Sequence, residues 1–315
     1  MIFCDNYEYT KYYNDRTSVS YNVEYVYDYL CRNKILRFFY KIHRRLFVYG
    51  LLPLSTLFIW FGPMLKKVYK SPHDSCIIIF ATLLPYIPYG VLKRIKNSNR
   101  DIVIQYTDTV KSLKDQVDIN KLRLFSSLIL TYNSNDAIEY NLNLSLPQVP
   151  LIKNEDTPVE KTIDVFYIGQ DKGRFKLIED VYMKCVNEGL KCDFNIVGPT
   201  KVKNPGIHKI NPLGYKDVLK KVACSKALLN IMQPGSNGIT LRDIEAYNYG
   251  LYIITNNESE DLLEILHREQ IIKIGSEDFS AKIKQIRERR QAFAVKESSF
   301  SFDNYYESIL SLLDY

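Results

Sequence analysis

The chain has 315 residues, with 42 Lys+Arg against 36 Asp+Glu and a formal net charge of +6. At 46% hydrophobic and 25% charged it has the composition of an ordinary globular protein, which excludes disordered, collagen-like and disulfide-framework chains. This length is more than one hydrophobic core serves well, so two domains are expected, residues 1–155 and 156–315.

The N-terminal stretch MIFCDNYEYTKYYND is polar and Tyr-rich. It has neither the basic nor the apolar region of a secretory signal, so a cytoplasmic chain is expected. Six cysteines (Cys4, Cys31, Cys76, Cys185, Cys192, Cys224) include no C-x2-C pair and have no His at ligand spacing. They read as reduced thiols, with no zinc site. Next, Arg32, Lys34, Arg37, Lys41, Arg44 and Arg45 precede an apolar run from Leu46 to Phe61 that contains Pro53. The run is shorter than the roughly 20 residues of a membrane-spanning helix. It reads either as a buried core helix or as an interfacial segment. In the second case its cations face anionic headgroups while Phe38, Phe39, Phe47, Phe58 and Trp60 enter the bilayer.

Three short apolar runs follow: Cys76–Phe80, Asp101–Tyr106 and a third ending at Tyr132. Their hydrophobicity is continuous rather than alternating, and helical stretches separate them. That pattern predicts parallel strands covered on both faces. Asp108, just past the second run, is the best-placed carboxylate for a general base, with Asp74 and Asp136 behind it; the plainer reading is a helix-capping Asp. The segment LNLSLPQVPLIKNEDTPVEK has linker composition. Beyond it strands and helices alternate again from TIDVFYIG to LYIITN, with Gly189 and Gly250 at expected helix ends. FDNYYESILSLLDY reads as a closing amphipathic helix. The expected fold is α/β, two tandem Rossmann-like doubly wound domains with a cleft between them.

Ligands of such sheets bind at the carboxyl ends of the strands, which selects two loops. In YIGQDKGR, Gly169 ends a strand while Lys172 and Arg174 flank a helix start suited to a diphosphate. In QPGSNGITLRDIEAYNYG, Gln233, Gly235, Ser236, Asn237 and Gly238 precede a helix capped by Thr240 and carrying Arg242 and Glu245. An i,i+3 ion pair is the structural alternative for those last two. Neither loop is a P-loop or a G-x-G-x-x-G fingerprint.

These loops, in this order, resemble the nucleotide-sugar domain of GT-B-fold bacterial glycosyltransferases that build lipopolysaccharide, capsule or exopolysaccharide. The resemblance covers about residues 160–260 and, less closely, the N-terminal half. It implies sugar transfer from a nucleotide-sugar donor to a lipid-linked saccharide acceptor, by an enzyme peripheral to the inner face of the cytoplasmic membrane. No metal, no other cofactor and no nucleic-acid partner are implied. Of the family's Glu-x7-Glu pair, Glu245 matches the ribose-binding second Glu, whereas Asn237 stands at the first. An amide carries neither charge nor basicity, so retention does not follow, and an inactive GT-B-like scaffold or nucleotide-binding module is the alternative. Asp108, Asn237 and Arg242 are the candidate catalytic residues. Gly169, Lys172, Arg174, Gln233, Gly235, Ser236, Gly238, Thr240 and Glu245 are the candidate donor-binding ones.

Overall fold

A computed structural model describes residues 2–4, 23–25, 34–53, 60–71, 76–145, 160–289, 291–294 and 302–313. The chain divides into two compact units, Met1–Leu146 with Tyr305–Tyr315, and Pro147–Asn304. The boundary expected near residue 155 lies outside the described residues, as do Phe58 and Asp74.

In the first unit six strands form one sheet: β1 (Ile2–Cys4), β2 (Val23–Tyr25), β3 (Ile77–Phe80), β4 (Ile102–Tyr106), β5 (Leu128–Thr131) and β6 (Asn143–Leu144). Every pairing is parallel and the order is 2-1-3-4-5-6. β3, β4 and β5 are buried at every position, because a parallel sheet presents no solvated face to alternate against. Its helices are α1 (Lys34–Val48), α2 (Gly62–Lys70), α3 (Tyr89–Lys96), the short α4 (Val110–Leu113) and α5 (Ile119–Arg123), and α6 (Ser134–Tyr140). The stretch LPYIPYGVLKRIK, read from sequence as helical, is divided between a 3-10 turn, Ala81–Tyr86, and α3. Pro85 and Pro88 cannot donate the hydrogen bonds that a continuous helix needs. The apolar run from Leu46 to Phe61 is also divided: α1 ends at Val48, and Phe61 is buried at the start of α2. No helix among the described residues is long and apolar enough to cross a membrane.

The second unit repeats the plan with β7 (Ile163–Gly169), β8 (Cys192–Val197), β9 (Ile207–Ile210), β10 (Ser225–Asn230), β11 (Tyr252–Thr255) and β12 (Ile271–Lys273). All pairings are again parallel, in the order β12-β11-β10-β7-β8-β9. Counted within the unit this is 3-2-1-4-5-6, the dinucleotide-fold order, whose direction reverses between β7 and β10. Covering helices are α7 (Phe175–Asn187), α8 (Tyr215–Ala223), α9 (Leu241–Tyr249), α10 (Leu262–Ile265) and α11 (Phe279–Glu288). One core cluster joins Val165, Phe194, Leu229 and Ile254 of the sheet to Ile178 of α7 and Ile283 of α11. The closing helix α12 (Phe302–Leu312), read from sequence as the end of the second domain, instead completes the first unit. Its Tyr305 is buried and donates to Gln105 Oε1 of β4 at 3.1 Å.

Gly250 ends α9 in the left-handed region at φ 59°, and a Cβ there would lie 2.4 Å from the Phe293 carbonyl oxygen. The same stretch of chain is held by the Phe293 N–H, which donates to the Gly250 carbonyl at 2.8 Å. Gly250→Ala is therefore expected to cost about 2 kcal/mol or more, combining left-handed strain with a backbone clash. A urea midpoint equal to wild type would contradict this.

Candidate functional site

Because β7 and β10 are parallel neighbours on which the sheet order reverses, the loops leaving their carboxyl ends diverge and leave a crevice. Both loops singled out from the sequence start there. After β7, Gln170 and Asp171 lead into Lys172 and Gly173, both left-handed at φ 44° and 84°. This tight reversal delivers Arg174 to the N-cap of α7. The Arg174 guanidinium donates from Nε to the Asp171 carbonyl at 2.8 Å and from an η nitrogen to the Gln170 carbonyl at 2.9 Å. Its other η nitrogen donates to the Ile231 carbonyl, just past β10. Arg174 thus ties the two loops together, and no carboxylate among the described residues pairs with it.

After β10, Gln233 to Ser236 close a turn through a 2.9 Å bond from the Ser236 N–H to the Gln233 carbonyl, with Gly235 at φ 80°. Pro234 and Gly235 are the residues that a type II turn selects at its centre. Asn237 Oδ1 accepts from the Gly238 N–H at 2.9 Å, and Gly238 is left-handed at φ 100°. Thr240 then caps α9 as expected. Its N–H and hydroxyl donate to Asp243 Oδ2 at 2.8 and 2.9 Å, so the first turn of α9 already carries an anion of its own.

The structure takes the ion-pair alternative for Arg242 and Glu245. Glu245 is 0% exposed, bridged to Arg242, and accepts from the Tyr215 hydroxyl at 2.9 Å. The second η nitrogen of Arg242 donates to the Ile168 carbonyl of β7 at 3.0 Å. In this arrangement Glu245 is a buried anchor for Arg242. Around both arginines, burial pushes the Tyr167 phenol up, while the charges of Arg174 and Arg242 pull it down.

Several residues here escaped the sequence reading. Asn230, the last of β10, donates to Thr240 Oγ1 at 3.0 Å and to Asp243 Oδ1 at 2.9 Å. Asn256 Oδ1 accepts from the Met232 N–H at 2.7 Å. Buried Asn257 donates to the Gly238 carbonyl at 2.8 Å, and Lys273 at the end of β12 donates to the Asn257 carbonyl. Burial pushes the Asp243 carboxyl from 3.8 up to about 6, against hydrogen bonds from Thr240 and Asn230 and the charge of Lys273.

In the first unit, Asp108 is half-buried past β4 and accepts from the Thr109 N–H at 2.9 Å; the N-cap of the next helix is Thr109, so Asp108 does not cap it. Asp136 is buried and accepts from the Val110 N–H at 2.8 Å; burial is the main cause that raises its pKa. No group of three or more His, Cys, Asp or Glu among the described residues is placed to hold a metal.

Neither a family model nor a curated protein sequence matches the chain. Solved structures do. An α-glucosyltransferase in complex with UDP and a 13-mer DNA containing an HMU base superposes with TM-score 0.57 at 12% identity, over 79% of this chain and 83% of that one. The fold is of the GT-B type. UDP-GlcNAc 2-epimerase from Methanocaldococcus jannaschii matches with TM-score 0.50 at 13% identity, over 100% of this chain and 99% of that one. At such identities the likeness is one of fold, two Rossmann-like domains in tandem, and the residues above stand on their own geometry.

Two outcomes follow from the buried groups. Arg242→Ala strands the Glu245 carboxylate and should cost about 3 kcal/mol, most of it recovered in Arg242→Ala/Glu245→Gln, where no buried charge remains. Equal losses in single and double variants, read by urea unfolding, would contradict a buried pair. For Asp243 the folded pKa lies above the unfolded one, so the native state holds the proton more tightly between pH 3.8 and about 6. Its contribution is complete below about pH 4 and is lost as pH rises through about 6. The total is at most about 3 kcal/mol for two pKa units. Asp243→Asn should flatten that fall relative to wild type in urea midpoints taken across the range.

Proposed function

We propose that the protein is a nucleotide-sugar-dependent glycosyltransferase whose second unit holds the donor diphosphate at the β7–β10 switch point. The observation that carries this reading is the fixed, uncancelled Arg174 charge, seated with exposed Lys172 beside the amino end of α7 at the reversal of strand order. The α-glucosyltransferase and the epimerase, both matched in fold, carry UDP or act on a UDP-sugar, which supports the same donor class.

In the proposed reaction the bond between the anomeric carbon and the donor phosphate breaks. The nucleoside diphosphate leaves with the electron pair, and an acceptor hydroxyl oxygen bonds to the carbon. Negative charge grows on the leaving diphosphate, where Arg174, Lys172 and the α7 amide N–H groups would stabilise it. In an inverting version Asp108 would receive the hydroxyl proton. Gln233, Ser236 and Asn237 would position the sugar, their loop shaped by Gly235 and Gly238, while Gly169 lets the chain turn close to the phosphates. Cationic side chains and amide dipoles would do the work that a divalent ion does elsewhere, so metal independence is part of the proposal.

The proposed acceptor is a lipid-linked saccharide of cell-surface polysaccharide synthesis, met at the cytoplasmic face of the membrane. A nucleic-acid acceptor fits less well: the basic helix α1 also exposes Phe38 and Phe39, which a phosphate backbone would leave in water. A second reading, a nucleotide-binding module without transfer activity, is favoured by one feature, the closure of Arg242 on Glu245 beside Asn237.

A thermal-shift screen against UDP, GDP, CMP, dTDP and ADP and their sugars separates these readings. The expected outcome is stabilisation by one nucleotide, about 2.7 kcal/mol at a hundredfold excess over Kd, and a marked reduction in Lys172→Glu. With the selected donor, turnover should persist in excess EDTA and fall in Asp108→Asn at unchanged nucleotide shift. A shift without turnover supports the module, and no shift with any nucleotide overturns the proposal.

A further inference from the structure

Between Tyr29 and His73 the sequence has nine Lys or Arg and no Asp or Glu. The remainder of the chain then has 33 Lys+Arg against 36 Asp+Glu, so the whole positive excess resides in this one segment. Among the described residues this segment forms α1 and α2, and α1 is turned the wrong way for an ordinary surface helix. Ile35, Phe38, Phe39 and Ile42, at i, i+3, i+4 and i+7, are 64%, 61%, 54% and 40% exposed. At about 100° per residue these four fall in one stripe about 100° wide, with Leu46 continuing it.

The opposite side of α1 faces the protein. Tyr40 is buried, edge-on to Trp60 at 5.6 Å, and the Trp60 indole N–H donates to His43 Nδ1 at 2.9 Å. Trp60, which the interfacial reading of the sequence placed in a bilayer, is instead the clamp that fixes the helix and turns its apolar stripe outward. Lys41 and Arg45 are exposed and project along the edge next to Phe38. Just beyond the helix, Tyr49 and Leu51 are exposed as well.

We propose that α1 is a docking surface for an anionic membrane, lying in the interface with Ile35, Phe38, Phe39 and Ile42 among the acyl chains and Lys41 and Arg45 at headgroup phosphates. An apolar stripe edged by cations and free of acids matches that boundary on both sides. A second copy of the chain fits poorly, since stripe-to-stripe pairing would bring two acid-free basic segments together. Nucleic acid would use the cations and leave the stripe in water. This inference rests on charge and exposure alone and does not depend on the donor reading.

The test is co-sedimentation of the full chain with phosphatidylcholine vesicles, with and without phosphatidylglycerol. Binding should require phosphatidylglycerol and fall with added salt. Lys41→Glu/Arg45→Glu should lower partitioning about thirtyfold or more, and Phe38→Ser/Phe39→Ser should also reduce it severely. Trp60 is the only tryptophan, so unchanged emission in both variants shows that the clamp survives. An unchanged nucleotide-induced shift shows that any loss is confined to this surface. Equal binding to phosphatidylcholine alone, or full binding by the Phe38→Ser/Phe39→Ser variant, would overturn the proposal. So would a lipid-free dimer that the serine variant dissolves in light scattering, or duplex-DNA binding that the serine variant retains in place of vesicle binding.

Discussion

The switch point depends on how one guanidinium is satisfied. A crevice between β7 and β10 opens because their loops part in opposite directions, and nothing in the strands themselves holds those loops at a fixed separation. Arg174 does so by donating to carbonyls on both sides, Gln170 and Asp171 after β7 and Ile231 after β10. A lysine would offer a point charge at this place, whereas the planar fork satisfies three acceptors at once and keeps its orientation. The charge is thereby preorganised, which is the state in which it acts on an anion without reorganisation cost. Arg242 uses the same device on the Ile168 carbonyl, but Glu245 cancels its charge, so the two arginines are unequal as anion ligands.

Behind this edge lies a polar layer that the fully buried parallel strands make necessary. Where β10, β11 and β12 end, backbone groups lose their ladder partners while still out of water, and each orphan costs on the order of 1–3 kcal/mol. Asn256, Asn257 and Lys273 supply partners to the main chain of Met232, Gly238 and Asn257, while Asn230 binds the side chains of Thr240 and Asp243. Asp243 also occupies the amino end of α9, the place where an incoming phosphate would otherwise bind. Of the two helix starts at this crevice, that of α9 is closed by Asp243, whereas that of α7 has Arg174 at its N-cap and no side-chain cap bond.

The strands legible in the sequence were those with long buried apolar stretches, Ile77–Phe80 and residues 102–104 and 165–168. β9 was missed because it is an edge strand with His208 and Lys209 in solvent. β1, β2 and β12 were missed because three residues carry no period. The two loops were found because glycine and cation at a strand end have few other uses. Partners were not legible: the Ile231 carbonyl lies 57 positions from Arg174, and nothing local says that its charge meets main chain rather than phosphate. Arg242 and Glu245 differ, since their i,i+3 spacing predicted the pair and only the burial of Glu245 was hidden. Asp243 was readable as a polar residue of a first turn, whereas its burial depends on strands far along the chain.

The two units share an architecture but not a strand order, and the difference bears on Asp108. In the first unit the order 2-1-3-4-5-6 reverses between β1 and β3, so its crevice opens beyond Cys4 and Phe80. The residues after Phe80, ATLLPY, contain no titratable acid and form a tight 3-10 turn. On the β3 side of the crevice the next carboxylates follow β4, about 4.8 Å beyond β3. Asp108 and Asp136 both sit past the carboxyl ends of β4 and β5, but Asp136 is buried on the Val110 N–H. Asp108, half-exposed and bonded to its neighbour's amide, is the more accessible of the two.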